Sequence, residues 1–153
     1  MKEPNELSDV SKGQMSEDED QDDSEQLQES EYDPFAEIKF DDPVVQACWL
    51  ILGELYYHYD ATDFLEPVSS KNIGHELYKE YRHIIKHPMD ISTVMHKMQT
   101  NAYRGDMSLF ISDVELIFDN CREFNERGTE IVNCANILTE FFRQQLVQKG
   151  LIS

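Results

Sequence analysis

Three features of the chain predict an all-α fold, a left-handed antiparallel four-helix bundle with a long loop between helices 1 and 2. Apolar residues recur at steps of three and four in four separate segments. No segment alternates apolar and polar residues over enough length to demand a strand. A stretch of about thirty residues, 60–89, breaks the period after the first helical segment, which is unusual inside a compact domain and suggests function. At 153 residues the chain has room for one domain and an appendage, read as a bundle over 39–153 and a tail over 1–38.

The tail comes first. Between Asn5 and Tyr32 the aliphatic side chains are Leu7, Val10, Met15 and Leu27, set in Glu, Asp, Gln and Ser. Such a stretch buries too little to offset the entropy of ordering its backbone, so residues 1–38 are expected to be disordered. The acidic run Ser16 to Asp20 reads as a solvated tail or as a docking strip for basic partners.

Helix 1 starts where Asp41 or Asp42 can cap and Pro43 can take the first position; Val45, Cys48, Leu52, Leu55 and Tyr59 follow at helical spacing. Residues 60–89 hold Pro67, Gly74 and Pro88 and read as the long loop, with a helical turn near Glu76 to Tyr81. Asp90 caps helix 2, whose face is Ile91, Val94 and Met98 and which ends near Asn101. Asp106 opens helix 3, with Phe110, Val114, Ile117, Phe118, Cys121 and Phe124 in one stripe. Thr129 opens helix 4, carrying Ile131, Ala135, Leu138, Phe142 and Leu146 to an end near Gly150.

Charge and residue types exclude several functions. With 31 acids against 13 bases the chain carries a formal charge of −18, which argues against direct binding to nucleic acid phosphates. The first 40 residues alone hold 14 acids and 3 bases. No run of about 18 apolar residues is present to cross a membrane, and the beginning of the sequence lacks a signal peptide's apolar stretch. Cys48, Cys121 and Cys134 are an odd number, far apart, and suit a reducing compartment better than a disulfide framework. Neither zinc-ligand spacing nor a phosphate-binding or nucleophile-elbow glycine motif occurs, so no metal, cofactor or catalytic residue is assigned. Asp119 to Glu130 has the length of a calcium loop, but Phe124 stands where that loop needs glycine. In an up-and-down bundle the loop between helices 1 and 2 and the turn between helices 3 and 4 emerge at one end. Geometry therefore nominates the region where Asn125 faces Pro67 to Tyr81 as a ligand site.

Several blocks carry a family likeness. They are Phe64-Leu65-Glu66-Pro67-Val68, then Tyr81 through Ile84-Ile85-Lys86-His87-Pro88-Met89-Asp90, then Tyr103, then Asp113 through Asn120-Cys121-Arg122-Glu123-Phe124-Asn125. In order and separation these resemble the bromodomain, the acetyl-lysine-binding four-helix module of chromatin proteins, over about 42–150. The resemblance implies that the Asn125 amide donates to the acetyl carbonyl and that Tyr81 reaches it through a water. It also implies apolar walls from Val68 and Ile131, a lining completed by Pro67, Phe64 and Phe124, and Cys121 near the floor. Asn120 is read as a brace between loop and helix. Taken alone, Asn125 reads as a helix C-cap; within its block it reads as a ligand contact.

The resemblance further implies an acetylated histone tail peptide as partner, a nuclear location, membership of a larger chromatin complex, and no enzymatic activity. An alternative reading is an acidic histone-binding scaffold whose tail drives binding and whose pocket is vestigial; its binding would fall steeply with salt. Chemically, acetylation would act as the admission test. A lysine ammonium entering an apolar slot loses its hydration at a cost of several kcal/mol, whereas the acetylated side chain is neutral and needs only amide partners. Three departures affect the loop. Thr62-Asp63 stand where many bromodomains carry Trp-Pro, Lys79-Glu80 stand where many place Pro-Asp before the tyrosine, and Pro67 to Tyr81 is longer than usual, which leaves Ile73, Leu77 and Tyr78 as candidate lining residues.

Overall fold

The structure, a computed structural model, describes residues 31–153. The chain divides into two compact units, 1–38 and 39–153. Within the first, helix α1 (Pro34–Glu37) is a single turn: the Asp33 carboxylate caps it by accepting from the Phe35 N–H at 3.1 Å, Pro34 holds the first position, and Phe35 is buried. Most of the expected structureless tail, residues 1–30, lies outside the described residues. Residues 34–37 depart from that expectation because Asp-Pro is a helix start whatever the composition around it.

The second unit contains α2 (Pro43–Tyr56), a 3₁₀ turn (Tyr59–Phe64), α3 (Ser70–Ile73), α4 (His75–Ile84), α5 (Ile91–Gln99), α6 (Met107–Phe124) and α7 (Glu130–Gln148). No strand occurs among the described residues. Helices α2, α5, α6 and α7 form the four-helix bundle: α2 packs against the other three, and α6 packs against α5 and α7.

Three of the four helix starts follow from side-chain caps. Asp42 accepts from Val44 N–H at 2.8 Å, Asp90 from Thr93 N–H at 3.0 Å, and Asp106 from Ser108 N–H at 2.9 Å. Each satisfies a backbone donor that the first helical turn leaves without a partner. Thr129 occupies the corresponding position of α7 but does not cap it, since its hydroxyl donates backward to the Glu126 carbonyl at 2.7 Å. With the hydroxyl drawn toward the preceding loop, no N–H of the first turn bonds to its oxygen.

The buried residues of α5, α6 and α7 follow the stripes read from sequence except at the ends beside the cavity, where Phe124 and Ile131 are half-buried and Val132 takes the core position at the start of α7. Helix α2 differs. Trp49 and Ile51 are fully buried besides Cys48, Leu52 and Leu55, because three neighbours cover more of this helix than one stripe. Tyr59 is 93% exposed, since α2 stops at Tyr56 and the residue falls in the 3₁₀ turn.

The segment read as one long loop is largely helical. Helix α4 buries Tyr81 alone, so no sustained apolar period marks it in the sequence. It is separated from α3 by Gly74, whose φ of 91° is open to glycine at little cost. Hydrogen bonds and ring contacts pin the segment to the bundle. Leu65 carbonyl accepts from Ser92 N–H at 2.9 Å, Glu66 Oε2 from Ser92 Oγ at 3.0 Å, and His87 carbonyl from Asn120 Nδ2 at 2.8 Å; the Phe64 ring meets Phe118 edge-on at 5.4 Å. Asn120 is thus the brace read from the sequence. At the far end, Asp113 Oδ2 accepts from both Tyr103 Oη and Lys97 Nζ at 2.7 Å, joining α5, its connection and α6.

Asn120→Ala is expected to lower stability by about 1–3 kcal/mol, the cost of removing the buried carboxamide that donates to the His87 carbonyl, read as a lower denaturant midpoint at unchanged slope. A second expectation concerns alkaline pH. Burial, then the Asp113 carboxylate, push the Tyr103 phenol far above its ordinary value near 10. Above pH 10 the unfolded chain therefore releases this proton while the folded chain keeps it, and stability falls as pH rises. Tyr103→Phe should flatten that decline in denaturant titrations between pH 9 and 11; an equal slope in both proteins would refute it.

Candidate functional site

Helix α6 ends because Asn125 leaves the helical region, with φ −104° and ψ 153°. Its backbone N–H still reaches the Cys121 carbonyl at 3.0 Å, and its side-chain Nδ2 donates to the same carbonyl at 3.0 Å. A carboxamide nitrogen carries two hydrogens; one holds the side chain on this carbonyl, and the other meets only the Cys121 Sγ at 3.7 Å, a weak acceptor that a carbonyl oxygen can displace. Capping and ligand contact, competing readings from sequence, are compatible in this geometry.

One turn earlier, the Cys121 thiol lies 3.6 Å from the Ile131 carbonyl as a weak donor, which ties the first turn of α7 to the end of α6. Between these two helix ends, the 3₁₀ turn and α4 lies a cavity of ≈ 110 Å³. Its walls include Phe64, Val68, Ile73, Leu77, Tyr81, Met89, Ile117, Cys121, Phe124, Asn125 and Ile131. Tyr81 is held edge-on against Phe124 with ring centroids 5.0 Å apart. It is 7% exposed, and its hydroxyl has no hydrogen-bond partner among the described residues. Burial, with Cys121 and Asp90 nearby, pushes its pKa up and keeps the phenol neutral.

Three carboxyl groups also border the cavity. Asp90 is buried and spends both oxygens on Thr93, Oδ2 on its N–H and Oδ1 on its hydroxyl. Burial raises its pKa, and those Thr93 bonds act in the opposite direction. Asp63 and Glu66 are exposed at the mouth. Burial raises the Cys121 pKa too, so the thiol at the cavity wall is kept protonated. No cluster of three His, Cys, Asp or Glu able to hold a metal occurs among the described residues.

The structure brings together Asn125, Tyr81, Val68, Phe64, Phe124, Ile131 and Cys121 from the sequence-derived set. Pro67 is the exception. It lines an adjoining groove with Tyr78, Arg82, Lys86 and Pro88, and its carbonyl accepts from Asn72 Nδ2 at 3.1 Å in the turn that starts α3. Of the loop candidates, Ile73 and Leu77 reach the cavity, whereas Tyr78 lies under the Arg82 guanidinium, 5.9 Å from ring centroid to Cζ. Met89 and Ile117 were missed as lining residues. Ile117 was legible, because it precedes Cys121 by four positions on the same stripe.

A larger cavity of ≈ 230 Å³ lies between α2, the end of α5 and the start of α6, walled by Phe40, Val45, Cys48, Met98 and Phe110 among others. Two of its polar side chains are already engaged, Tyr103 on Asp113 and Asp106 on Ser108, and Gln99 and Asn101 are exposed. Burial pushes the Cys48 thiol up to about 11. The cavity at Asn125 differs in offering an amide hydrogen spent only on a thiol sulfur and a buried hydroxyl without a partner among the described residues.

Tyr81→Phe deletes only that hydroxyl. Since no protein partner is orphaned, its unfolding free energy should stay within about 0.5 kcal/mol of the parent. A loss above that in denaturant unfolding would mean that the hydroxyl does make an intramolecular bond.

Comparison with known proteins gives a consistent result. Residues 48–137 match the family model described as Bromodomain. The chain is 42% identical over 100 residues to "Bromodomain adjacent to zinc finger domain protein 2A" of Xenopus laevis, covering 65% of this chain and 6% of that protein. It is 38% identical over 98 residues to the Homo sapiens protein of the same name, with 64% and 5% covered. The "Bromodomain adjacent to zinc finger domain protein 2B" of Gallus gallus is likewise 38% identical over 98 residues, with 64% and 4% covered. The chain thus spans only a small fraction of the length of these relatives.

Proposed function

The chain belongs to the bromodomain family, acetyl-lysine reader modules of chromatin rather than catalysts, and on that premise we propose that residues 39–153 bind acetylated lysine on histone tails in the nucleus. Asn125 is the direct donor to the acetyl carbonyl. Tyr81 supplies a second polar contact, and Val68, Phe64, Phe124, Ile131 and Cys121 enclose the methyl and butyl chain. Pro67 contributes to the groove beside the mouth. The module works within a larger chromatin assembly and performs no chemistry itself.

The observation that carries this reading is the polarity of the cavity wall. One carboxamide hydrogen that meets only a thiol sulfur and one unpartnered phenol line a mostly apolar slot, while the buried Asp90 carboxylate is taken up by Thr93. Such a wall matches a neutral amide. A guest with one or two polar anchors and about 25 cal/mol per Å² from apolar burial binds weakly, on the order of micromolar to millimolar. The scaffold alternative rests on the composition of the tail, whose residues 1–30 lie outside those described.

Calorimetric titration with one peptide in acetylated and unmodified forms tests the proposal. The acetylated form should bind and the unmodified form should not. Asn125→Ala should weaken the acetylated peptide about 5- to 150-fold, equivalent to about 1–3 kcal/mol, because the buried carbonyl is left unpaired. Equal binding of the two peptides would overturn the reading, as would full affinity in a folded Asn125→Ala protein.

A further inference from the structure

The mouth of the acetyl-lysine cavity borders charges of both signs. At its rim stand Asp63 and Glu66, both exposed and both lining the cavity. Among the described residues neither has a cationic partner within ion-pair distance. Glu66 is held in place by the Ser92 hydroxyl on Oε2. Asp63 stands where many bromodomains place the proline of a Trp-Pro pair, so a carboxylate replaces part of an apolar shelf. Adjoining the cavity through Val68 and Tyr81 runs the groove lined by Pro67, Tyr78, Arg82 and Lys86. There the charges are cationic, with Arg82 stacked on Tyr78.

An extended peptide that inserts its acetylated side chain beside Tyr81 must cross this mouth. A flank that runs over the cavity rim meets Asp63 and Glu66, and one that runs along the adjoining groove meets Arg82 and Lys86. We propose that Asp63 and Glu66 make the site selective for acetyl-lysine with an arginine or lysine on one flank only, the flank over the carboxylates. The same charge on a flank along the groove meets Arg82 and Lys86 and is disfavoured. Selectivity of this kind comes from complementary rim charges, which add little affinity each and discriminate by repulsion as much as by attraction. The inference rests on the acetyl-lysine reading of the cavity and adds the class of peptide to it.

The test is a matched peptide set: one acetyl-lysine with neutral flanks, with two arginines before it, or with two arginines after it, each in acetylated and unmodified forms. One arginine placement should bind about 5-fold tighter than the neutral peptide, the other no tighter, with the gain falling as salt rises. In the double variant Asp63→Asn/Glu66→Gln, whose new amide oxygen can still accept from Ser92, the preferred-to-neutral affinity ratio should fall to about one. Glu140→Gln, on α7, should leave that ratio as in the parent. If acetylated peptides bind and unmodified ones do not, yet both arginine placements behave alike or the double variant keeps the preference, this inference fails and the acetyl-lysine reading stands. If acetylation makes no difference, both fail.

Discussion

The end of α6 governs the site. At Asn125 the backbone turns out of the helix, yet both its N–H and its side-chain Nδ2 stay on the Cys121 carbonyl. A helix advances about 100° per residue, so ending α6 one residue sooner or later would carry the carboxamide to another face. The neighbouring features depend on the same turn. Phe124 seats the Tyr81 ring, and the Cys121 thiol meets the Ile131 carbonyl. One direct anchor, one further polar group and one apolar wall are thus set by five consecutive residues and the start of the next helix.

The opposite wall is made differently. The segment between α2 and α5 contributes short helices whose faces bury little, and it is secured at separated points: Leu65 and Glu66 on Ser92, His87 on Asn120, Phe64 on Phe118. These pins lie beside the cavity and leave Tyr81 Oη unspent. The entropy of closing a loop rises only slowly with its length, so a long connection of this kind costs little more than a short one once it is pinned. Its polar work is done at the pins, while Val68, Ile73 and Leu77 stay free to contact a guest.

An apolar slot with an acidic mouth separates admission from selection. Inside, a cation would exchange its hydration for a wall that offers a donor and a phenol, which disfavours unmodified lysine. At the rim, exposed carboxylates act through water, where charges steer and discriminate weakly without anchoring.

The sequence by itself determined the four bundle helices, most of their buried stripes and three of their caps, because helical period and capping chemistry are local and recur within a few residues. Its motif blocks also pointed to Asn125, Tyr81 and Asn120 at useful positions, the last as a brace. The helical nature of 70–84, the burial of Trp49 and Ile51, the backward turn of Thr129 and the displacement of Pro67 into the groove were decided only in three dimensions. Each depends on what a distant segment covers or leaves open: α4 buries one side chain, α2 is enclosed on three sides, and Pro67 answers to the Asn72 turn. Periodicity records how a residue relates to its own helix; which neighbour faces it is a property of the packed chain.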